Sequence, residues 1–473
     1  MTKIVATLGP SSNSKEVIRG MIRAGMNIAR INFSHGDQET QGKTIDLVRE
    51  VAAEEGTVIG ILADIQGPKI RLGKVAQPIP VKAGDHFEFT LDEADGSNGI
   101  IQLPHPEFVV DIQPGMPLLY GDGEMQFEVV EKRARSLIVE AAVDGLIESR
   151  KGIMAPTARL SLSAITEKDR RDIEFVLKKN PEYMALSFVR SADDIRQLRW
   201  LIDLLTGEQR VGIIAKIEKF DALDVLEEII DVCDGIMVAR GDLGLEIPPQ
   251  HVPREQKRMI RLCNERAKPV ITATQMLSSM ESSPRPTRAE VSDVYNAIVD
   301  GTDAVMLSNE TANGTYPIES VQMMSDIALT AEARISPERP EVNRVRREKE
   351  AITDAIAASV YEIAKQLKPR AIVTSTISGY TARNVSAERA RVPIICVTPN
   401  ENTYRRMSLV WGVTPIMIPQ FNTIDEMLDL VVKACKKAGY VKPEDVLVVI
   451  AGIPFGIGGQ TNFLKVHVVP MDV

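Results

Sequence analysis

Lys216 and Glu218 stand two positions apart at the end of an apolar, β-branched run, V-G-I-I-A-K-I-E-K over 211–219. A strand turns alternate side chains to opposite faces, so the ammonium and the carboxylate project together while Ile217 packs the other way. A second short run, G-I-M-V-A over 235–239, delivers Arg240, Gly241, Asp242 and Gly244 at its end. Glu218 and Asp242 are one strand–helix–strand step apart and meet on neighbouring strand ends. Two carboxylates make a hard, incomplete oxygen shell, the form in which Mg2+ is usually held, with substrate oxygens and waters completing the octahedron. Arg30, in N-I-A-R-I-N-F-S-H-G (27–36), shares its strand face with Asn32 and Ser34. Buried cations at such a rim are costly unless an anion pairs with them. A phosphoryl group is the fitting partner, because positioning and charge neutralisation make up most of phosphoryl-transfer catalysis. Taken singly, any one of these residues is more often structural, a carboxylate salt-bridged to Lys216 or Arg240 for example. Their convergence on one rim favours chemistry.

Weaker signals surround this centre. Gly241-Asp242-Leu243-Gly244 opens a short helix whose free N–H groups suit a substrate carboxylate. Thr274, in T-A-T-Q-M, ends a further strand, and His35 follows Ser34 at a turn. No G-x-x-x-x-G-K-[ST] stretch occurs, which excludes a P-loop nucleotide site.

These residues need a parallel α/β frame to bring them together, and the chain supplies one. Strand and helix patterns alternate from T-K-I-V-A-T-L (2–8), with Ser11, Ser12 and Asn13 as helix caps, through N-I-A-R-I-N and V-I-G-I-L-A-D-I-Q. The rhythm then gives way, over 71–154, to short alternating runs punctuated by Gly, Asp and Pro with no convincing helix. It resumes with Y-M-A-L-S-F-V, the Lys216 strand, an amphipathic helix over 220–233, the Asp242 strand, P-V-I-T-A-T-Q-M-L and D-A-V-M-L-S-N-E-T. Eight strand–helix units count out a TIM (β/α)8 barrel over 1–70 and 155–333, whose C-terminal strand edge carries chemistry. The β module inserted at that edge is a natural lid. A charged, proline-containing linker (334–350) leads to further α/β units, an open and mainly parallel sheet within 334–473.

Composition narrows the classes. The 473 residues carry 44% hydrophobic and 26% charged side chains, ordinary for a soluble globular chain of several domains. A net charge of −9 speaks against a general nucleic-acid surface, and no apolar run is long enough for a membrane span. Cys233, Cys263, Cys396 and Cys435 are widely spaced, which suits reduced thiols in a cytoplasmic protein.

The blocks N-F-S-H-G (32–36), G-P-K-I-R (67–71), I-I-A-K-I-E-K (213–219), M-V-A-R-G-D-L-G-L-E (237–246), A-T-Q-M-L-S-S-M (273–280), P-R-P-T-R-A-E-V-S-D-V (284–294) and M-L-S-N-E-T-A-N-G-T-Y-P (306–317) resemble the pyruvate kinases, in the family's order. The resemblance implies a TIM barrel with an inserted small β-barrel lid and a C-terminal α/β regulatory domain. It implies transfer of a phosphoryl group from phosphoenolpyruvate to ADP, giving pyruvate and ATP. Matched position by position, Lys216 is the catalytic cation, Arg30 grips the substrate phosphate, Glu218 and Asp242 bind Mg2+ or Mn2+, and Gly241, Asp242 and Thr274 form the pyruvate end, with Thr274 relaying a proton. Asn32, Ser34, His35 and Arg71 fall near the nucleotide phosphates.

Two departures from the family pattern stand out. Many relatives bind K+ around positions matching Asn32, Ser34, Asp64 and a threonine, with a glutamate in G-P-E-I-R; here those last two positions are Ile65 and Lys69. The resemblance therefore implies a branch in which the Lys69 ammonium replaces K+. Ser191 stands where some members carry a lysine after S-F-x-R, which removes one expected nucleotide contact. In the last domain T-I-S-G-Y-T (376–381) resembles the family's effector loop, with Thr376, Ser378, Gly379 and Thr381 as phosphate binders and G-I-G-G (456–459) opposite. Ile377 and Tyr380 replace residues that are basic in some relatives, so a monophosphate such as a phosphosugar or AMP is the expected effector. The resemblance also implies a homotetramer. Two other readings fit parts of the pattern, namely a Mg2+-dependent lyase acting on a pyruvate enolate, and a phosphometabolite-binding regulator with an inactive barrel.

Overall fold

A computed structural model of the chain describes residues 1–156, 158–207, 211–334, 351–455 and 460–471. The expected linker beyond Arg334 and the G-I-G-G loop lie outside the described residues. Eight parallel strands close into a barrel: β1 (Lys3–Leu8), β2 (Ile28–Asn32), β3 (Gly60–Ile65), β4 (Tyr183–Leu186), β5 (Gly212–Ile217), β6 (Gly235–Ala239), β7 (Val270–Ala273) and β8 (Ala304–Leu307). Residue parity assigns the two faces. Val5, Ile28, Leu62, Tyr183, Ala185, Ile214, Met237 and Met306 fill the interior, while Ala29, Ile61, Met184, Ile213, Ala215 and Ile217 pack outward against the helices. Every strand is thus apolar on both faces, as burial between two layers demands. Leu409, from the C-terminal segment, joins the interior cluster, and the Tyr183 hydroxyl donates to the Arg406 carbonyl at 2.9 Å.

Several elements depart from the sequence expectation. Ser11 and Ser12 fall in or beside a 3-10 turn (Pro10–Ser12), and Ser14 caps the first helix, Lys15–Ala24. The helix expected over 220–233 is two short ones, Phe220–Asp224 and Leu226–Val232, parted at Val225, whose ψ of 25° leaves the helical region. β4 and β7 stop earlier than their apolar runs suggest. The following residues Phe188 (φ 54°), Thr274 (φ 66°) and Gln275 (φ 53°) turn into the left-handed region.

Between Ile65 and the next barrel helix, Glu167–Leu177, the inserted segment folds into a six-stranded sheet and a two-stranded ribbon. They share a core of their own centred on Phe127, which meets Phe87, Phe89 and Tyr120 edge to face. One short helix, Pro106–Asp111, interrupts it, contrary to the all-strand expectation. The two chain crossings to the barrel pair with each other: the Leu72 N–H donates to the Lys151 carbonyl (3.0 Å) and the Ile153 N–H to the Ile70 carbonyl (3.1 Å). The C-terminal sheet runs in the order Val413–Met417, Ile394–Thr398, Ala371–Ser375, Val446–Ala451 and Phe463–Val468, with only the last strand antiparallel. All four cysteines are buried and free. No helix among the described residues is long and apolar enough to cross a membrane.

Candidate active site

Interior parity continues past the strand ends. Two residues beyond Ile28, Leu62, Ala185 and Ile214 come Arg30, Asp64, Ser187 and Lys216, so all four rise from the barrel floor to the same rim. Lys216 Nζ lies 2.9 Å from Glu218 Oε1, 3.2 Å from Asp64 Oδ1 and 2.7 Å from Ser187 Oγ. Arg30 Nε donates to the other Asp64 oxygen at 2.7 Å, and a second guanidinium nitrogen donates to Thr7 Oγ1 at 2.9 Å. Asp64 therefore bridges both cations from 1% exposure. Burial alone would raise the Asp64 pKa, but Lys216 and Arg30 overcome it and hold the carboxyl below its ordinary value. Burial alone would lower the Lys216 pKa, yet Asp64 and Glu218 raise it, so the ammonium stays charged.

Glu218 behaves differently. Burial, helped by the charge of Asp242, pushes its carboxyl up to about 7 despite Lys216 beside it. Its second oxygen accepts the Phe188 N–H at 2.7 Å, which holds that left-handed residue in place. Asp242 lies in the first turn of the short helix Arg240–Glu246. Two carboxylates, one of them raised by burial and by the charge of the other, are a donor set that suits a divalent cation. Among the described residues no group of three or more His, Cys, Asp and Glu could hold a metal, so oxygens from elsewhere must complete any such shell.

The residues expected at the pyruvate end also assemble, with one correction. Thr274 Oγ1 accepts the Gly241 N–H at 2.8 Å and donates to the Ala273 carbonyl at 2.7 Å. That N–H is thus engaged rather than free for a carboxylate. Arg240 pairs with Asp293 (2.7 Å) rather than with either carboxylate. It also donates to the Thr274 carbonyl at 2.7 Å and the Ala273 carbonyl at 3.2 Å. Its role is to pin the strained Thr274–Gln275 turn, since each non-glycine left-handed residue costs about 1–3 kcal/mol.

Around His35 a cationic arc forms. The His35 imidazole is exposed, and partial burial followed by Lys69, Arg71, Arg30 and Lys168 lowers its pKa. Asn32 Oδ1 accepts the Ser34 N–H at 3.1 Å, which fixes the turn on which His35 sits. Lys69 and Arg71 line a cavity of about 160 Å3 between rim and lid, with Phe188, Asp242, Asp122 and Lys151 on its walls. Ile65 is fully buried and outward-facing, and the Ser191 N–H donates to Asp194 at the start of a helix. The sequence reading missed Lys168, which donates to the Phe33 carbonyl at 2.7 Å, and Ser187. The parity of β4 is the signal that could have found Ser187; Lys168 sits in an acidic helix start that looks like any solvated turn.

Models of known families match along almost the whole chain: the pyruvate kinase barrel domain over residues 1–321 and the pyruvate kinase alpha/beta domain over 354–467. The chain belongs to the pyruvate kinase family. It is 45% identical to a pyruvate kinase of Geobacillus stearothermophilus over 471 residues, and 42% identical to one of Staphylococcus aureus over 475. These alignments take in 99% and 100% of this chain and 80% and 81% of the relatives. A crystal structure of a pyruvate kinase from Cryptosporidium parvum superposes with a TM-score of 0.93 at 35% identity, covering 99% of this chain and 96% of that one. The protein is accordingly a phosphotransferase, and the barrel, lid and C-terminal sheet are that family's fold.

The T-I-S-G-Y-T loop lies apart, in the C-terminal sheet. Thr376, Ser378 and Thr381 line a cavity of about 180 Å3 with Gly452, Phe455 and Gln460. Gly379 does not line it; its φ of 78° makes the turn, and its N–H donates to Thr376 Oγ1 at 3.0 Å.

Replacing Asp64 by Asn should remove the anion that both buried cations share. Breaking a buried pair costs about 3–5 kcal/mol, so the barrel transition in urea should shift by that order at neutral pH. Because the folded Asp64 pKa lies below the unfolded one, its contribution is present above the ordinary carboxylate range and lost as pH falls through the folded value. The acid limb of stability against pH should therefore be shallower in Asp64→Asn than in the wild type. An unchanged urea midpoint contradicts the shared-anion reading.

Proposed function

We propose that this rim transfers the phosphoryl group of phosphoenolpyruvate to ADP, giving pyruvate and ATP. The observation that carries the reading is Lys216, a buried ammonium held among Asp64, Glu218 and Ser187 beside Arg30. Arg30 grips the transferring phosphate. Lys216 neutralises the PO3 unit as the bond to the enol oxygen breaks and a β-phosphate oxygen of ADP takes it up. Glu218 and Asp242 are the residues that would hold Mg2+ or Mn2+, which would supply charge neutralisation for the enolate and the substrate carboxylate. Thr274, whose hydroxyl already makes two hydrogen bonds at the pyruvate end, relays the proton that the enolate takes at C3. Asn32, Ser34, His35 and Arg71 meet the nucleotide phosphates, and the lid excludes water, which would otherwise compete as acceptor. The four buried thiols suit a reducing cytoplasm.

Replacing Lys216 by Met removes the ammonium and should lower turnover by roughly a thousandfold or more in a phosphoenolpyruvate, ADP and Mg2+ assay, with substrate binding less affected. Near-normal turnover removes Lys216 from the mechanism.

In the monovalent-site region, Asn32, Ser34 and Asp64 are retained, but Asp64 already pairs with Arg30 and Lys216, and Lys69 brings an ammonium to the cleft. On this reading the enzyme is K+-independent. Turnover in potassium-free buffer should match turnover with added KCl, and strong activation by KCl contradicts it.

The cavity at Thr376, Ser378 and Thr381 is read as the effector site, for a phosphosugar or AMP, in a homotetramer able to shift between affinity states. Placing a carboxylate there by Ser378→Asp should abolish activation by such a monophosphate while leaving basal turnover intact. Retained activation argues for another effector site.

A further inference from the structure

Ser187 follows the last residue of β4 on the interior parity and is 2% exposed. Its Oγ lies 2.7 Å from Lys216 Nζ, 2.7 Å from the Ile65 carbonyl oxygen and 3.4 Å from Asp64 Oδ1. A hydroxyl has one proton to give. The shorter, well-formed bond to the Ile65 carbonyl claims it, which turns the oxygen lone pairs toward the ammonium. Lys216 therefore has three acceptors, two anionic and one neutral. Both anionic partners have competing calls: Asp64 also takes Arg30 at 2.7 Å, and Glu218 also takes the Phe188 N–H at 2.7 Å. Only Ser187 holds the ammonium without cancelling its charge.

We infer that Ser187 is a positioning residue for the transfer step: its neutral hydroxyl, itself anchored to the end of β3, fixes the Lys216 ammonium over the reacting phosphate. The inference rests on the role proposed for Lys216 and adds the group that aims it. Without the hydroxyl, the ammonium is free to settle wholly onto Asp64 and Glu218. It then meets the phosphate late and misplaced, and small displacements of a catalytic group are expensive in rate. Ser187 makes its side-chain hydrogen bonds to Lys216, the Ile65 carbonyl and Asp64 rather than to Glu218 or Asp242, so its loss should leave divalent-ion binding intact.

The test compares the full-length enzyme with Ser187→Ala, Ser187→Thr and Lys216→Met. Turnover and KM for phosphoenolpyruvate are measured with Mg2+, Mn2+ affinity by water-proton relaxation, and melting temperature in parallel. Ser187→Ala is expected to lose about 10- to 100-fold in kcat, with KM, Mn2+ affinity and melting temperature near wild type, and Ser187→Thr to recover most of the loss by restoring the acceptor. Wild-type turnover in Ser187→Ala beside an inactive Lys216→Met overturns the positioning role alone. Wild-type turnover in both variants overturns the reading of Lys216 on which it rests. A kcat loss that moves in step with Mn2+ affinity and melting temperature, unrelieved in Ser187→Thr, means that Ser187 is structural and also overturns the inference.

Discussion

Two buried cations at the barrel rim are balanced by buried carboxylates, and everything else in the molecule is arranged around that balance. Lys216 and Arg30 share Asp64, and Glu218 takes the remaining side of Lys216. Asp242 adds a further negative charge, which, after burial, raises Glu218 to about 7. The rim is thus slightly too negative by itself and slightly too confined for its cations. On the proposed function, a divalent cation would correct the first and an anionic phosphate the second. A site whose charges close only when both arrive has its electrostatics prepared before the reaction begins, and preorganised charge of this kind is the main lever in phosphoryl transfer.

The fold supplies the confinement. Eight strands carry apolar residues on both faces up to their C-terminal ends, so the alternation that packs Ile28, Leu62, Ala185 and Ile214 inside must bring Arg30, Asp64, Ser187 and Lys216 to one level. The floor is closed by Leu409 from the C-terminal domain, whose neighbouring segment also receives the Tyr183 hydroxyl. Above the rim, the lid is joined by two chain crossings that hydrogen-bond to each other. Its Phe127-centred core is separate from that of the barrel, which fits a module that swings as a unit.

Much of this was legible in the chain. The alternation in I-I-A-K-I-E put Lys216 and Glu218 on one face, and their contact at 2.9 Å bears that out. The strand–helix count gave the barrel, and the change of rhythm after Ile70 gave the inserted β module. What escaped was conformation set by distant partners. Nothing local to A-T-Q-M announces that Thr274 and Gln275 adopt positive φ; the turn exists because Arg240, held by Asp293, grips its carbonyls. The apolar spacing over 220–233 fits one helix, yet the chain breaks at Val225 between two short ones. Arg240 likewise looked available to a carboxylate of the site because sequence spacing says nothing about a competitor as remote as Asp293. Asp64 was visible only as part of a monovalent-ion pattern, whereas in three dimensions it is the anion that both cations share.

The most direct test of this account is a crystal structure of the enzyme with phosphoenolpyruvate and Mn2+, the ion located by its anomalous signal. The account predicts Mn2+ bound by carboxylate oxygens of Glu218 and Asp242, with the Lys216 ammonium and the Arg30 guanidinium hydrogen-bonded to the substrate phosphate. An ion seated away from those two carboxylates, or a phosphate out of reach of a Lys216 still locked to Asp64 and Glu218, would contradict it.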